Sequence, residues 1–219
     1  MKDQIKKFYS VLVKSEIAKN ISMVAGGTAF AQFLSFLLTP IITRLYSPEQ
    51  YGYLTLFVSV LGILTIFMTL KYEVAIPIEK DDKNAINLLV LNLIILTIIC
   101  FIIILLFIFY GEIILNLLDA GPLIKYWYLV PLGFVLQGFY NVFNQWAIRR
   151  KRFKSISITK IFQSSIGSIF KIVFGFLKFG PIGLITGQII GQSAGITTLS
   201  RPFVKEDKNL LSYINSKSI

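Results

Sequence analysis

Lys171 is the cation that lies deepest inside a long apolar stretch of the sequence, about two helical turns from the end of that stretch. A lysine at the centre of a membrane helix costs about 3 kcal/mol on insertion scales. Its ammonium group therefore either reaches an interface along its four-carbon side chain or faces a hydrated cavity. In a cavity it would bind an anion, and phosphate is a suitable one.

Uncharged polar residues recur at helical spacing in the same apolar stretches, on one side of each predicted helix. The candidates for a substrate cavity or gate are Thr28, Gln32, Gln137, Asn141, Asn144, Gln145, Gln163 and Ser168, with Arg149 at the end of the fourth stretch. Gln188 and Gln192 form a further polar stripe in the sixth stretch. Polar groups at membrane depth face protein or water rather than lipid. For one residue, helix–helix hydrogen bonding is the simpler interpretation. Four such stripes together predict a shared hydrated cavity.

Arg44 ends the first apolar stretch, and a helix start follows it almost at once. Ser47-Pro48-Glu49 has the pattern of an N-cap, a proline in the first turn and a carboxylate at the positive end of the helix dipole. A tight hinge between two helices is predicted, with a cation at its rim. Arg44 is a candidate outer-gate residue, and the alternative is a headgroup anchor.

The sequence lacks the residues that most enzyme mechanisms require. Histidine is absent, and Cys100 is the only cysteine, so no His- or Cys-based metal site is predicted. No acidic residue falls inside a predicted span, and no phosphate-binding loop or nucleophile elbow occurs. The sequence therefore predicts no catalytic residues, no metal and no cofactor, and a transporter rather than an enzyme.

The composition predicts the elements that position these residues. Apolar residues make up 55% of the chain and charged residues 15%, against about 25% in soluble domains. This predicts an all-α polytopic membrane protein, a bundle of six transmembrane helices that forms one lobe of a two-lobe transporter. The predicted spans, each able to cross about 30 Å of hydrocarbon, are residues 21–43, 52–70, 86–110, 127–148, 159–178 and 181–200.

Basic residues predict the orientation of the bundle. Alternate gaps between the spans hold eighteen lysines and arginines against three in the opposite gaps. By the positive-inside rule both termini are cytoplasmic, and the net charge of +11 needs no nucleic acid to explain it. The predicted organisation is a basic arm at 1–20, the transmembrane lobe at 21–200 and a polar cytoplasmic tail at 201–219.

Two stretches carry predictions about packing. Four glycines at intervals of four in the sixth span predict a groove for a neighbouring helix, and these are Gly183, Gly187, Gly191 and Gly195. Residues 111–125 have their own apolar pattern and are predicted to form a short interfacial helix between the third and fourth spans.

Several motifs together resemble a known family. They are the hinge Thr39-Pro40 to Gly52, the stretch Leu70 to Pro77, Asn144-Gln145-Trp146 with the basic run Arg149 to Lys154, and the stretch Gly183 to Gln192. Over about residues 15–200 the chain resembles the bacterial polysaccharide biosynthesis proteins, which are O-antigen and capsule flippases. They belong to the multidrug/oligosaccharidyl-lipid/polysaccharide exporter superfamily.

The resemblance implies two six-helix lobes around a central cavity, and outward flipping of undecaprenyl-diphosphate-linked oligosaccharide across the bacterial cytoplasmic membrane. It also implies glycosyltransferases and a polysaccharide polymerase as working neighbours, beside the lipid bilayer itself. The sequence covers one lobe, so a truncated product or fragment is expected, and a functional half is the alternative. Two further functions stay open: a drug or metabolite exporter, and a non-transporting scaffold for glycan synthesis.

Overall fold

The computed structural model describes residues 16–206. Most of the predicted arm (1–20) and tail (201–219) therefore lies outside the described residues. Six long helices follow one another, and we number them in chain order: α1 (Glu16–Leu45), α2 (Pro48–Leu64), α3 (Asp82–Leu117), α4 (Leu129–Arg149), α5 (Phe153–Phe176) and α6 (Pro181–Glu206).

The described part of the chain is all-helical. Helices account for 89% of it, and no strand occurs among residues 16–206. Three helices are long and apolar enough to cross a membrane, by length and composition: Ala18–Leu45, Pro48–Phe67 and Asp82–Leu117. Helices α4 to α6 are not among these candidates. That all six cross the membrane, with both termini cytoplasmic, stays a prediction.

The predicted hinge between α1 and α2 is confirmed. Ser47 is the N-cap of α2: its hydroxyl accepts a hydrogen bond from the Gln50 backbone N–H, and the Gln50 side chain accepts one from the Ser47 N–H. Pro48 occupies the first turn and Glu49 lies at its positive end. This capping box satisfies two of the backbone donors that a helix start leaves free. Helix α1 continues through Pro40 to Leu45.

Two boundaries differ from the prediction. The prediction of a separate interfacial helix at 111–125 is wrong. Helix α3 runs without a break to Leu117, and a short 3₁₀ helix, Gly121–Tyr126, follows it. Gly111 packs beside Phe107 and Trp127 and does not interrupt the helix. Helix α5 begins at Phe153, earlier than predicted, so the basic connection to α4 shrinks to residues 150–152.

The stretch around Glu73 forms a turn followed by a short 3₁₀ helix, Tyr72–Val74. The chain takes left-handed conformations at Leu70 and Lys71, which end the second apolar stretch. The buried Glu73 carboxylate accepts a hydrogen bond from the Thr69 hydroxyl. A buried carboxylate needs such a donor, because an unsatisfied one costs several kcal/mol.

Helix directions are set by a few close contacts. Gly27 of α1 lies beside Ser157 of α5, and further along both helices Leu45 lies beside Gly175, so α1 and α5 run parallel. Helix α6 runs antiparallel to α5, because Gly187 lies beside Lys171 whereas Gly195 lies beside Thr159 and Gln163. The glycines that face α5 let the two backbones approach closely. The polar stripes of α1, α4, α5 and α6 consequently converge.

Candidate functional site

A polar cavity of about 420 Å³ lies among α1, α4, α5 and α6. This volume falls within the range of small-molecule sites in proteins. It is lined by Ser35, Gln137, Tyr140, Asn141, Lys160, Gln163, Ser164, Gly167, Ser168, Lys171, Gln188, Gly191 and Gln192. Among residues 16–206, the lining thus holds two cations, several amides and hydroxyls, and no carboxylate.

Helix α5 supplies both cations of this cavity. Lys160, Ser164, Ser168 and Lys171 are spaced at 4, 8 and 11 residues, which places them on one face of a helix with 3.6 residues per turn. The two lysines are three turns apart, about 16 Å along the axis. The cavity therefore has an ammonium group towards each end of its α5 wall.

Lys171 is held in place by α6 and by the hinge. Its Nζ donates a hydrogen bond to Gln188 Oε1 at 2.6 Å, and its backbone carbonyl accepts one from the Tyr46 hydroxyl at 2.7 Å. Burial, with a smaller contribution from Tyr51, raises the pKa of Tyr46 to about 12, so this phenol remains a donor. The side-chain acceptor of Lys171 is therefore an uncharged amide oxygen rather than a carboxylate.

The remaining cavity wall is built from hydrogen-bonded polar side chains. Gln163 Nε2 donates to the Gln192 carbonyl at 3.0 Å, and the Ser35 and Ser164 hydroxyls are 2.7 Å apart. The Tyr140 hydroxyl and Gln192 Oε1 are buried and have no hydrogen-bond partner among the described residues. Such buried groups usually bind water or a ligand. The cavity therefore offers both donors and acceptors to a polyhydroxylated molecule.

The structure brings five of the predicted site residues together in this cavity: Gln137, Asn141, Gln163, Ser168 and Lys171. Other predicted residues lie elsewhere. The Thr28 hydroxyl donates to the Val24 carbonyl of its own helix, and Gln32 is exposed on α1. Gln145 is half-buried on α4 but does not line the cavity. Asn144 lines a separate apolar groove.

Arg44 lies apart from the polar cavity. It is exposed at the end of α1 and lines a shallow depression together with Pro40, Ile41, Leu45 and Phe176. This position at the hinge suits either of the roles that the sequence left open for it, a gate residue or an anchor.

Arg149 joins the end of α4 to the start of α3. Its Nη2 lies 2.7 Å from Asp82 Oδ1, and its Nη1 donates to the Glu79 carbonyl. Arg150 makes a longer contact of 3.4 Å with the other oxygen of the same carboxylate. Only 8% of the Arg149 side chain is exposed, against 32% for Arg150. Arg149 thus fixes two helix ends rather than lining the cavity.

We expect Arg149→Ala to lower the free energy of unfolding by about 1–2 kcal/mol, because charge-assisted hydrogen bonds contribute about 1.5–3 kcal/mol and half-exposed Asp82 reduces that value. Arg150→Ala is the matched control and should cost less than about 1 kcal/mol. The melting temperatures of the purified variants, followed by tryptophan fluorescence, measure the difference. Equal melting of the two variants would contradict the assignment.

Sequence reasoning missed Lys160 as a cavity residue and assigned it to the cytoplasmic connection. Its ammonium lies 5.2 Å from the centre of the Tyr140 ring, a cation–π distance. The spacing of 11 residues from Lys171 was the available signal, since it places both lysines on one face of α5. Lys160 falls at the start of the predicted span 159–178 and was grouped with the basic connection before it, whereas α5 begins at Phe153, about two turns earlier in the chain.

Comparison with known protein families shows to which family this chain belongs. The sequence pattern of the family described as polysaccharide biosynthesis protein matches residues 17–214. The chain belongs to this family. The match covers every described helix apart from the first residue of α1, and it confirms the resemblance that the motifs indicated. No curated protein and no solved structure matches the chain significantly.

Membership in the polysaccharide biosynthesis family gives the cavity a context. The family indicates a role in polysaccharide biosynthesis or export, and its members are generally transporter- or flippase-like. Together with the apolar helices, it indicates a membrane protein. The cations and sugar-compatible polar groups of the cavity are compatible with a role in polysaccharide biosynthesis or export.

Proposed function

We propose that this protein moves undecaprenyl-diphosphate-linked oligosaccharide units outward across the bacterial cytoplasmic membrane. The observation that supports this function is the polar cavity, which contains Lys160 and Lys171 and no acidic side chain in its lining. Export of organic cations would favour a carboxylate at this depth. A cation paired only with an amide favours a phosphate-bearing substrate instead.

Different cavity residues bind different parts of the substrate. The lysine ammonium groups bind the diphosphate, and the amides and hydroxyls of Gln137, Asn141 and Gln163 exchange hydrogen bonds with sugar hydroxyls. Alternating access then exposes the cavity first to the cytoplasm and afterwards to the outside. Glycosyltransferases would supply the loaded lipid, and a polysaccharide polymerase would consume it.

Deletion of the gene in the source bacterium tests the proposal. We expect surface polysaccharide to fall and lipid-linked oligosaccharide to accumulate on the inner leaflet, where a membrane-impermeant lectin cannot reach it in intact spheroplasts. Re-expression of the unaltered gene should restore both. The lectin accessibility of extracted and intact lipid is the measurement.

Two results would overturn the flippase function, each in favour of one rival. If lipid-linked units fail to form at all, the protein supports glycan synthesis as a scaffold. If polysaccharide stays normal while the cells become sensitive to organic cations, the protein is a drug or metabolite exporter.

A further inference from the structure

An apolar groove of about 590 Å³ runs beside the polar cavity, between the start of α1, the end of α4 and the start of α5. Its walls are mainly aliphatic and aromatic, and Ile21 and Ala25 are exposed along it. The full lining is Asn20, Ile21, Val24, Ala25, Asn144, Ile148, Lys151, Phe153, Ile156 and Lys160. The volume falls within the range of ligand pockets.

Lys160 belongs to both cavities, because it lines the apolar groove as well as the polar cavity. Its ammonium group faces the Tyr140 ring at 5.2 Å from the ring centre, and Asp82 pairs with Arg149 and Arg150 rather than with Lys160. Lys151, in the turn between α4 and α5, provides a second ammonium beside the groove. One cation therefore lies where the apolar groove and the polar cavity meet.

The order apolar groove, cation, polar cavity corresponds to the order of chemical groups in one class of molecule. A phosphorylated polyisoprenoid that carries sugars has an apolar chain, then an anionic diphosphate, then polar sugars. A free sugar phosphate would leave the groove empty, and a diacyl phospholipid would leave the sugar-compatible cavity empty. The groove, Lys160 and the cavity match the complete amphiphile in sequence.

We propose that the apolar groove binds the first isoprene units of a polyprenyl diphosphate, and that the Lys160 ammonium binds the adjacent phosphate. This inference rests on the proposed function, since the ligand is the lipid part of the same substrate. It assigns the polyprenyl chain a protein site on the α1, α4 and α5 side of the bundle. Lys160 then lies where the lipid phosphate enters the polar cavity.

The physical argument has an apolar and an ionic part. In the groove, isoprene units pack against Val24, Ile148 and Ile156, which are held in fixed positions. The lipid tails of the bilayer are not fixed in this way. The phosphate replaces a cation–π contact of Lys160 by a charge-assisted hydrogen bond, which is the stronger interaction. Lys160 lies close to the predicted cytoplasmic end of its span, where the headgroup of a membrane lipid is already located.

Photolabelling of the full protein in phosphatidylethanolamine and phosphatidylglycerol vesicles tests the site. The probe is a polyprenyl phosphate, without sugars, that carries a diazirine on its first isoprene unit. We expect labelled peptides from the groove walls, around Val24 and Ile156. An excess of unlabelled polyprenyl phosphate should compete, whereas extra phosphatidylglycerol should not.

Matched variants separate the charge from the groove. Lys160→Gln should reduce labelling about tenfold or more, as expected for loss of a charge-assisted contact, while Lys160→Arg retains it. Lys154→Gln, an exposed lysine of the same helix that lines neither cavity, is the control. Ala25→Phe should fill the groove and lower labelling, whereas Ala29→Phe, one turn further along the exposed side of α1, should not.

The outcomes test the proposed lipid site separately from the flippase function. Labelling outside the groove, equal labelling of the Lys160→Gln and Lys154→Gln variants, or equal competition by phosphatidylglycerol would overturn the site. If that happens while gene deletion still traps lipid-linked oligosaccharide inside, only the site is wrong. If the groove is labelled as expected but deletion leaves polysaccharide export intact, the site stands and the transport function is wrong.

Discussion

Lys171→Met should reduce surface polysaccharide about tenfold or more when it replaces the residue in the chromosomal gene. Methionine has a similar length and fits an apolar surrounding, so the variant removes the charge with little change in packing. Loss of a charge-assisted hydrogen bond costs about 1.5–3 kcal/mol, which corresponds to roughly 10- to 150-fold in affinity. Quantification of surface polysaccharide by lectin binding, normalised to the membrane level of the protein, measures the effect.

Two further variants make this prediction specific to the cavity. Lys171→Arg keeps the cation and should retain most of the activity, although the larger guanidinium must rearrange its contact with Gln188. Lys178→Met removes an exposed lysine near the end of the same helix, outside the cavity lining, and should behave as the unaltered protein. If Lys171→Met retains export at normal protein levels, the cation does not bind the substrate.

Gly191→Ala should destabilise the bundle by about 1–3 kcal/mol, the usual cost of overpacking. A methyl group at this position would lie 2.8 Å from the Gly167 Cα and 3.0 Å from the Gln163 carbonyl oxygen. Both are backbone atoms of α5, which cannot rotate away as a side chain can. Gly191→Leu should be more severe and should lower the yield of monodisperse protein.

Gly62 provides the control for this prediction. It is exposed in α2, and a methyl group there would meet no atom within 4 Å. Gly62→Ala should leave stability unchanged or raise it by up to about 1 kcal/mol, because alanine favours a helix over glycine. Thermal unfolding of the two purified variants measures the difference. If both unfold at the same temperature, the α5–α6 contact is looser than the structure shows.

The sequence could predict those features that depend on periodicity. Polar residues spaced for one helical face predicted that Gln137, Gln163 and Lys171 would meet in a cavity, and the geometry places all three in one lining. The N-cap at Ser47 was predictable for the same reason, because a capping box is a local pattern. Family membership was also within reach, since the motifs that carry it lie in these same stretches.

Features that depend on long-range contacts were not predictable. Nothing near Arg149 in the sequence shows that its partners are Glu79 and Asp82, 67 or more residues away. Lys160 was grouped with the basic connection because it lies at the start of the predicted fifth span, whereas α5 begins about two turns before it. The apolar groove has no signature at all, since its walls come from the ends of three helices that meet only in the folded bundle.

The close contact of α5 with α6 has a consequence for permeability. Where Gly167 and Gly191 bring two backbones together, the space between the helices is too small for a water molecule. A hydrated cavity in a membrane protein is a potential leak for protons and small ions, because water filling it removes most of the dielectric barrier. In a bundle that spans a membrane, the glycine contact would keep water and ions from passing between α5 and α6 along this wall of the cavity.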